Sequence, residues 1–377
     1  MKRTFPRSDT MKKILIFTAS TGNGHNQVAK TLEFELNEQG YDVVKVDFMK
    51  EKNKMLEMFI EDGYDILATK LPRVYGQLYR VTNRSSISKA LSKIVSLEEY
   101  RLGKSIVQKH NPDMIIGTHP FAVGIVSALK RKGRIQCPFI SVVTDFEAHQ
   151  TYISDYVDAY ITGSHQTSKS LISKGIEPDK VNAYGIPISK KFFSQSPEPI
   201  ERDPLFTILL MGGSMGLKPM KVALEELMNA AKPFKITIVC GNNISLLEEL
   251  EGKYENYEGN KKIEILGFTE NVSCLMSQSD IIISKPGGLT VSESIAKRLP
   301  LVIPFVIPGQ EEENRDFLAL TNAAIKVEDI SGLPEIIDYL IDNPERIEGM
   351  RKAMESISEF YSLESFIGLI RGFFDNE

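Results

Sequence analysis

A glycine-rich turn that ends in a histidine follows the first strand-like segment of the chain. Residues 21–25 read Thr-Gly-Asn-Gly-His, after an apolar run over 13–17 and before a helical pattern over 27–39. Glycines let a backbone approach a ligand closely, and the N-terminus of the helix adds a partial positive charge. His25 can serve there as a general base, bind an anion or a hydroxyl, or cap the helix. A dinucleotide-binding fingerprint is not indicated, because Gln27 occupies the position of its third glycine.

Two further glycine turns lie in the second half of the chain. The first, over 211–216, reads Met-Gly-Gly-Ser-Met-Gly and follows a predicted strand. Its backbone N–H groups can cradle a diphosphate, although it lacks the Gly-Lys-Ser/Thr ending of a Walker loop. The second, over 284–293, reads Ser-Lys-Pro-Gly-Gly-Leu-Thr-Val-Ser-Glu and opens a predicted helix. Gly287 and Gly288 can present N–H groups to an anion, and Glu293 can accept hydrogen bonds from a ribose diol.

A polar stretch over 304–314 follows the next predicted strand, and its Gln310 and Glu311 are placed where they can bind sugar hydroxyls. The alternative is that these segments are ordinary turns beside a solvated acidic run over 311–313. That alternative accounts for each segment separately, but it does not explain why two such turns end adjacent strands.

The elements that position these turns alternate short apolar strands with amphipathic helices, and they do so twice along the chain. Strands are predicted at 13–17, 42–47, 114–117, 139–143, 159–162 and 181–184, and again at 206–210, 236–239, 263–266, 280–284 and 301–304. Continuous apolar runs separated by helices are typical of parallel sheets buried on both faces. The predicted fold class is α/β, with ligands at the carboxyl ends of the strands.

A polar, proline-rich segment over 194–204 is typical of a linker and sets the predicted domain boundaries. The prediction is a disordered leader over 1–10, an N-terminal domain over 11–193, the linker, a C-terminal domain over 205–350 and a C-terminal helix over 351–377. The leader lacks the apolar region of a secretory signal. For the amphipathic tail we favour packing on the protein core over insertion into a membrane.

The composition excludes several classes of function. The chain has 377 residues and a formal net charge of −5, which argues against a nucleic-acid partner because such proteins normally carry a basic surface. Its three cysteines are isolated in the sequence, so we expect a reducing, cytoplasmic compartment and neither disulfides nor a cysteine metal site. No stretch approaches the roughly 20 apolar residues that span a bilayer.

The segment over 66–97 has six basic residues and no acidic residue, in a chain that is acidic overall. Apolar and aromatic side chains lie between the basic ones. This pattern is typical of a segment that docks on an anionic membrane surface, at about 1 kcal/mol per basic residue. A solvated basic face is the alternative.

These motifs together resemble the diacylglycerol glycosyltransferases of glycosyltransferase family 28, which include bacterial processive diacylglycerol glucosyltransferases and plant monogalactosyldiacylglycerol synthases. More distantly they resemble the N-acetylglucosaminyltransferase that acts on peptidoglycan lipid intermediates. The resemblance extends from Met11 over nearly the whole chain. It implies a GT-B architecture, in which two Rossmann-like domains with parallel sheets face each other across a cleft and the C-terminal domain holds a UDP-sugar.

The resemblance also assigns individual residues to the donor. It places the donor's phosphates at Gly287, Gly288, Leu289 and Thr290, the ribose at Glu293, and the transferred sugar at Gln310 and Glu311 with Asn314 nearby. It places the other side of the donor site at Gly212, Gly213, Ser214 and Gly216, and the uracil near Phe268.

On the acceptor side, the resemblance matches Gly24 and His25 to the glycine-rich loop, Asp145 to a Thr-Asp-Phe segment, and His149 to the histidine after it. A tryptophan common in the family after that histidine is absent, and Tyr152 is the expected substitute. The resemblance further implies that the basic segment contacts the membrane and diacylglycerol, and the residues expected there are Arg73, Tyr75, Tyr79, Arg80 and Arg84.

Members of this family invert the anomeric carbon, so the acceptor hydroxyl needs a base and the leaving diphosphate needs neutralisation. Asp145 is favoured as the base with His25 orienting, and the reverse assignment stays open. Helix N-termini, aided by Lys285, are expected to stabilise the diphosphate. The sequence has no Asp-x-Asp motif, so we expect no metal and no other cofactor.

The predicted activity is transfer of a hexose, with glucose favoured over galactose, from a UDP-sugar to diacylglycerol at the inner face of the cell membrane. Two alternatives stay open. One is transfer of N-acetylglucosamine to a polyprenyl-linked precursor. The other is a UDP-sugar sensor that binds a protein partner without turnover.

Overall fold

A computed structural model describes residues 11–20, 23–52, 76–77, 79–81, 83, 97–193, 203–212 and 218–375. The chain divides into two compact units. The first unit comprises Met1–Ile188 together with Tyr361–Glu377, and the second unit comprises Ser189–Phe360. The sequence placed the end of the N-terminal domain at residue 193, whereas the structure groups residues 189–193 with the second unit. The predicted leader and most of the predicted linker lie outside the described residues.

The first unit is built on a parallel sheet with the strand order β2-β1-β3-β4-β5-β6 in the described part of the chain. Its strands are β1 (Lys13–Thr18), β2 (Asp42–Asp47), β3 (Met114–Gly117), β4 (Phe139–Val142), β5 (Ala159–Ile161) and β6 (Val181–Asn182). Its helices up to Ile188 are α1 (Asn23–Glu38), α2 (Phe48–Lys52), α3 (Leu97–His110), α4 (Pro120–Arg131) and α5 (His165–Ser173).

Apolar burial explains why the strands of the first unit form the centre of its core. Every residue of β3 and β4 is buried, as the continuous apolar runs predict for a sheet covered on both faces. Helix α4 adds Val123, Val126 and Leu129 to the same core. Each such side chain contributes about 1.5–3 kcal/mol when it is fully removed from water.

The second unit repeats this plan with the strand order β12-β11-β10-β7-β8-β9, again parallel throughout the described ranges. Its strands are β7 (Thr207–Met211), β8 (Lys235–Val239), β9 (Lys262–Leu266), β10 (Ile281–Ser284), β11 (Leu301–Ile303) and β12 (Ala324–Lys326). Its helices are α6 (Lys218–Leu227), α7 (Ile244–Tyr254), α8 (Val272–Gln278), α9 (Gly288–Lys297), α10 (Gln310–Leu320), α11 (Leu333–Asp342) and α12 (Pro344–Ser358).

The C-terminal helix predicted over 351–377 is instead two helices. Helix α12 ends at Ser358, and a further helix, α13 (Leu363–Asp375), begins after a short connection and belongs to the first unit. In that connection the Tyr361 hydroxyl donates to the carbonyl of Gly163 at 2.9 Å. Phe366, Ile367 and Ile370 of α13 are buried, which is the core packing that the sequence favoured. Within the ranges described, no helix combines the length and the apolar character needed to cross a bilayer.

Candidate functional site

The predicted acceptor residues converge at the carboxyl edge of the first sheet. Helix α1 begins at Asn23, four residues earlier than predicted, so Gly24 and His25 lie in its first turn instead of in the preceding loop. The His25 ring reaches the ends of two strands. Its Nδ1 atom lies 2.7 Å from the carbonyl oxygen of Thr118, after β3, and 2.9 Å from the hydroxyl of Thr144, after β4. The His25 side chain therefore links the segments that follow β3 and β4, and it does not cap its own helix.

These contacts fix the tautomer of His25. A carbonyl oxygen can only accept a hydrogen bond, so Nδ1 carries the proton and its N–H donates a hydrogen bond to the carbonyl of Thr118. Burial lowers the pKa of His25 to about 4, and the ring is neutral at pH 7. A neutral ring that is protonated on Nδ1 has its lone pair on Nε2. His25 can thus accept a hydrogen bond through Nε2.

Tyr152 lies under this site and not on its surface. The ring is only 1% exposed, and its hydroxyl is 3.2 Å from that of Thr144. Burial raises the pKa of Tyr152, and so does the negative charge of Asp145. Tyr152 therefore contacts Thr144 from within the core, and its expected part as the substitute for the family's tryptophan stays a prediction. Asp145 itself is buried and directly follows the threonine that contacts His25.

Asp47 anchors the loop that leads into α1, and sequence reasoning did not identify it. One carboxylate oxygen accepts from the backbone N–H groups of Ser20 and Met49, both at 3.2 Å. The other accepts from the Ser20 hydroxyl and, at 3.3 Å, from the Asn26 amide. An acidic residue soon after the second strand of a Rossmann fold often binds a nucleotide ribose. Here Asp47 instead holds Ser20, before α1, and Asn26 in the first turn of α1. The signal in the sequence was its position at the end of β2.

A second histidine, His119, lies beside His25 and also escaped the sequence analysis. The two ring centroids are 4.5 Å apart with an interplanar angle of 77°. His119 is the N-cap of α4, and its Nδ1 accepts from the backbone N–H of Phe121 at 3.1 Å. Its signal in the sequence is a histidine placed between a buried strand and Pro120, a residue favoured at the first position of a helix.

His149 connects the loop after Asp145 with the basic segment. Its Nε2 donates to the carbonyl of Tyr79 at 3.3 Å, and the two rings are 4.6 Å apart. The next residue, Gln150, donates its backbone N–H to the Asn83 side chain at 3.0 Å. Burial lowers the pKa of His149, which keeps it neutral. Tyr79 and the exposed Arg80 lie in this part of the segment, whereas the other residues expected there, Arg73, Tyr75 and Arg84, fall outside the described residues.

In the second unit, the turn after β10 presents an uncapped helix N-terminus. The first intrahelical hydrogen bond of α9 runs from Val291 N–H to the carbonyl of Gly287. The N–H groups of the three preceding residues, Gly288, Leu289 and Thr290, come before that bond, and no side chain caps the helix at Gly287. Such an end is suited to an anion, because the unpaired N–H groups and the helix dipole act together.

The turn is braced by two residues of α10. The buried Asn314 donates its side-chain N–H to the carbonyl of Pro286 at 3.0 Å. Glu311 is only 4% exposed and pairs with Lys285, while its second oxygen accepts from the Ile307 backbone N–H at 2.9 Å. Both oxygens of Glu311 thus have protein partners, and the ion pair holds Lys285 beside Gly287. The predicted contacts of Glu311 and Asn314 with the sugar stay predictions.

Glu293 lies in the second turn of α9 without a hydrogen-bond partner among the described residues. Burial raises its pKa to about 8, although the positive charge of Lys191 opposes the shift. A half-buried carboxyl in this position can accept hydrogen bonds from the hydroxyls of a ligand. The predicted contact of Glu293 with the ribose stays a prediction.

The other predicted donor residues are described by their position and exposure. Gln310 is the half-buried first residue of α10, Gly212 is buried after β7, and Phe268 is 65% exposed after β9. The glycine turn over 211–216 also includes Gly213, Ser214 and Gly216, and these three residues lie outside the described residues. In the part of the chain that the structure describes, no group of three or more His, Cys, Asp or Glu side chains is arranged to hold a metal ion.

Sequence comparison identifies the family. A family profile for monogalactosyldiacylglycerol (MGDG) synthase matches residues 25–188, and one for the glycosyltransferase family 28 C-terminal domain matches residues 207–365. Proteins named processive diacylglycerol β-glucosyltransferase from Bacillus pumilus (strain SAFR-032) and Bacillus subtilis (strain 168) are each 30% identical to this chain. The alignments cover 95% and 93% of this chain, and 94% and 92% of the two relatives. The chain belongs to the diacylglycerol glycosyltransferases of family 28.

The matched regions of this diacylglycerol glycosyltransferase follow its two units closely, although the second match runs to residue 365, five residues beyond the end of the second unit. The MGDG synthase match begins at His25 and ends at Ile188, where the first stretch of the first unit also ends. The family 28 match begins at Thr207, the first residue of β7. The family resemblance seen in the motifs is confirmed.

Solved structures confirm the predicted α/β GT-B fold. Acinetobacter baumannii MurG is 17% identical, with a TM-score of 0.57 over 92% of this chain and 95% of MurG. The Staphylococcus aureus MnaA–UDP co-structure is 13% identical, with a TM-score of 0.62 over 97% of both chains. At these identities the likeness concerns the fold of the diacylglycerol glycosyltransferase alone.

Proposed function

We propose that this glycosyltransferase moves glucose from UDP-glucose to diacylglycerol and so makes a glycosyl-diacylglycerol. The observation that carries the proposal is the match at 30% identity, over nearly the full length of both chains, to relatives named for glucosyl transfer to diacylglycerol. The geometry of both units is compatible with that chemistry, because one offers a base and the other an uncapped anion site.

In the reaction, the acceptor oxygen forms a bond to the anomeric carbon while the bond from that carbon to the diphosphate breaks. The acceptor proton passes to Nε2 of His25, the atom that bears the lone pair. This assignment reverses the one that the sequence favoured, and Asp145 then supplies the negative charge that offsets a protonated His25. The two electrons of the broken bond leave with UDP.

Negative charge on the departing diphosphate is met by the N-terminus of α9 and by Lys285, which Glu311 holds in place. We propose that this combination takes the part that a divalent cation plays in other glycosyltransferases, so that neither a metal nor another cofactor is required. Glu293 binds the ribose of the donor.

The acceptor is a lipid, so the first unit must reach a membrane surface. We assign that contact to the basic segment, which includes Tyr79 and Arg80 and is attached to the acceptor loop through His149. Attraction of basic side chains to anionic lipids places the enzyme at the inner face of the cell membrane.

The test is a donor panel. Purified protein is incubated with diacylglycerol vesicles, EDTA and UDP-glucose, UDP-galactose or UDP-N-acetylglucosamine, and UDP release is measured. We expect the fastest release with UDP-glucose and no stimulation by Mn²⁺. Preference for UDP-N-acetylglucosamine with a polyprenyl acceptor would contradict the proposal. Tight binding of UDP-glucose without any turnover would support a sensor instead.

A further inference from the structure

Strand β9 is one edge of the second sheet in the described part of the chain, and its outer side has backbone groups to offer. Lys262 donates its backbone N–H inward, to the carbonyl of Phe234 before β8, at 3.0 Å. Because successive residues of a parallel strand bond to opposite sides, the N–H and C=O groups of Ile263 and Ile265 point outward. Among the described residues, none forms a hydrogen bond with these outward groups.

A groove of about 620 Å³ is lined by residues of β9 and of α7. On the β9 side it is apolar, since the half-buried side chains of Ile263 and Ile265 line it and also pack against the core of the second unit. On the α7 side, Gly252 has no side chain, and a Cβ added there would meet nothing within 4 Å. The groove therefore has room for another chain next to the open edge of the sheet.

The α7 side of the groove is negatively charged. Glu248, Glu251 and Glu255 line it, and all three are exposed. Within the ranges described, no basic side chain pairs with any of them, whereas Glu249 on the same helix pairs with Lys221 of α6. The three glutamates are also not arranged to hold a metal ion. A ligand that complements the groove must therefore be basic, and it must bring backbone groups to the edge of β9.

We propose that this groove binds an extended, basic peptide segment of a partner protein, which adds as a strand to the outer edge of β9. The backbone of the segment bonds to Ile263 and Ile265, as in other complexes formed by strand addition. Every second side chain of the added strand faces the groove. Lys or Arg at these positions lays its apolar stem on the two isoleucines and brings its charge to the glutamates of α7. None of these residues is among those predicted to bind the donor, so the interaction goes beyond the transfer reaction.

The test is a selection from a phage-displayed library of random peptides of about twelve residues, long enough to form a strand. The full-length wild type is the target, and Gly252→Trp, whose indole fills the groove, is used to remove peptides that bind elsewhere. We expect the selected peptides to carry Lys or Arg at alternate positions. Synthetic copies should lose at least about 10-fold in affinity for Gly252→Trp, and about 2- to 5-fold for Glu251→Gln. Glu249→Gln, on the same helix, is the control and should bind like the wild type.

N-methylation of the selected peptide tests the pairing with β9. Methyl groups on alternate backbone nitrogens should abolish binding in one phase of the alternation and have little effect in the other, because only one set of N–H groups faces β9. If Gly252→Trp melts well below the wild type, Gly252→Leu is measured in its place. Failure to enrich any peptide, or peptides that bind both proteins equally, would overturn the proposal. A wild-type dimer that Gly252→Trp converts to a monomer in sedimentation would also overturn it, because a second copy would then occupy the edge.

Discussion

Replacing Glu293 with glutamine should abolish a proton release that accompanies binding of UDP-glucose. In the structure Glu293 is half-buried on α9, and burial raises its pKa to about 8. At pH 7 such a carboxyl is about 90% protonated before the donor binds. A ribose diol donates two hydrogen bonds most favourably to the ionised carboxylate, so binding should expel the proton.

The magnitude follows directly from the pKa. About 0.9 proton per site should be released at pH 7, and about 0.5 at pH 8. UDP-glucose has no group that titrates near these pH values, so the protein is the only source. In Glu293→Gln the release should be close to zero and the affinity for UDP-glucose lower.

The assay is isothermal titration calorimetry in two buffers with different ionisation enthalpies. The slope of the observed binding enthalpy against the ionisation enthalpy of the buffer gives the number of protons exchanged. Thr144→Val is a suitable control because it lies in the first unit and should keep the wild-type slope. A wild-type slope of zero, or the same slope in Glu293→Gln, would refute the reasoning that Glu293 binds the ribose as a carboxylate.

Three further predictions concern the parts that hold the sites. Glu293→Gln should also be more stable than the wild type at high pH. The raised pKa of the Glu293 carboxyl makes the wild-type free energy of unfolding fall between about pH 5 and pH 9, by about 2 kcal/mol after allowance for partial exposure. Thermal melting of both proteins at both pH values checks this, and the same change with pH in the two proteins would contradict it. Thr144→Val should lower kcat about 3- to 10-fold through the lost contact with His25, without changing UDP-glucose affinity, as single-turnover kinetics can show. Gly185→Ala should lower the free energy of unfolding by about 2–4 kcal/mol, because φ is +84° and the new methyl group would meet the Tyr361 ring at 2.7 Å. Urea denaturation measures this loss. Gly349→Ala is the control, because a methyl group there meets nothing within 4 Å.

The sequence predicted the strands well where apolar runs were long and unbroken. Strand β3 has the predicted bounds because Met and Ile fill it up to its final glycine. Strand β2 also has the predicted bounds, and its three valines mark it although Lys45 interrupts the run. Strand β12 was not predicted, since Ala-Ile-Lys is too short to produce a recognisable pattern. The predicted strand over 181–184 is reduced to two residues, and Gly185 just after it has a positive φ.

The candidate site was predictable to the extent that its residues stand beside glycine turns at strand ends. His25 and Glu293 met that criterion. Asp47 and His119 did not, because both depend on residues remote in sequence: Asp47 on Ser20, and His119 on the ring of His25 in the first turn of α1. The burial of Tyr152 could not be read from its position after His149, since it follows from the core packing of the first unit.

The central claim, glucosyl transfer from UDP-glucose to diacylglycerol, is tested most directly by mass spectrometry of the lipid product. Diacylglycerol vesicles are incubated with the protein and UDP-glucose whose six hexose carbons are ¹³C, and the lipids are extracted. A glycosyl-diacylglycerol heavier by six mass units than the unlabelled product is the expected result. Labelled donor that remains intact, or label recovered only in free glucose, would contradict the account.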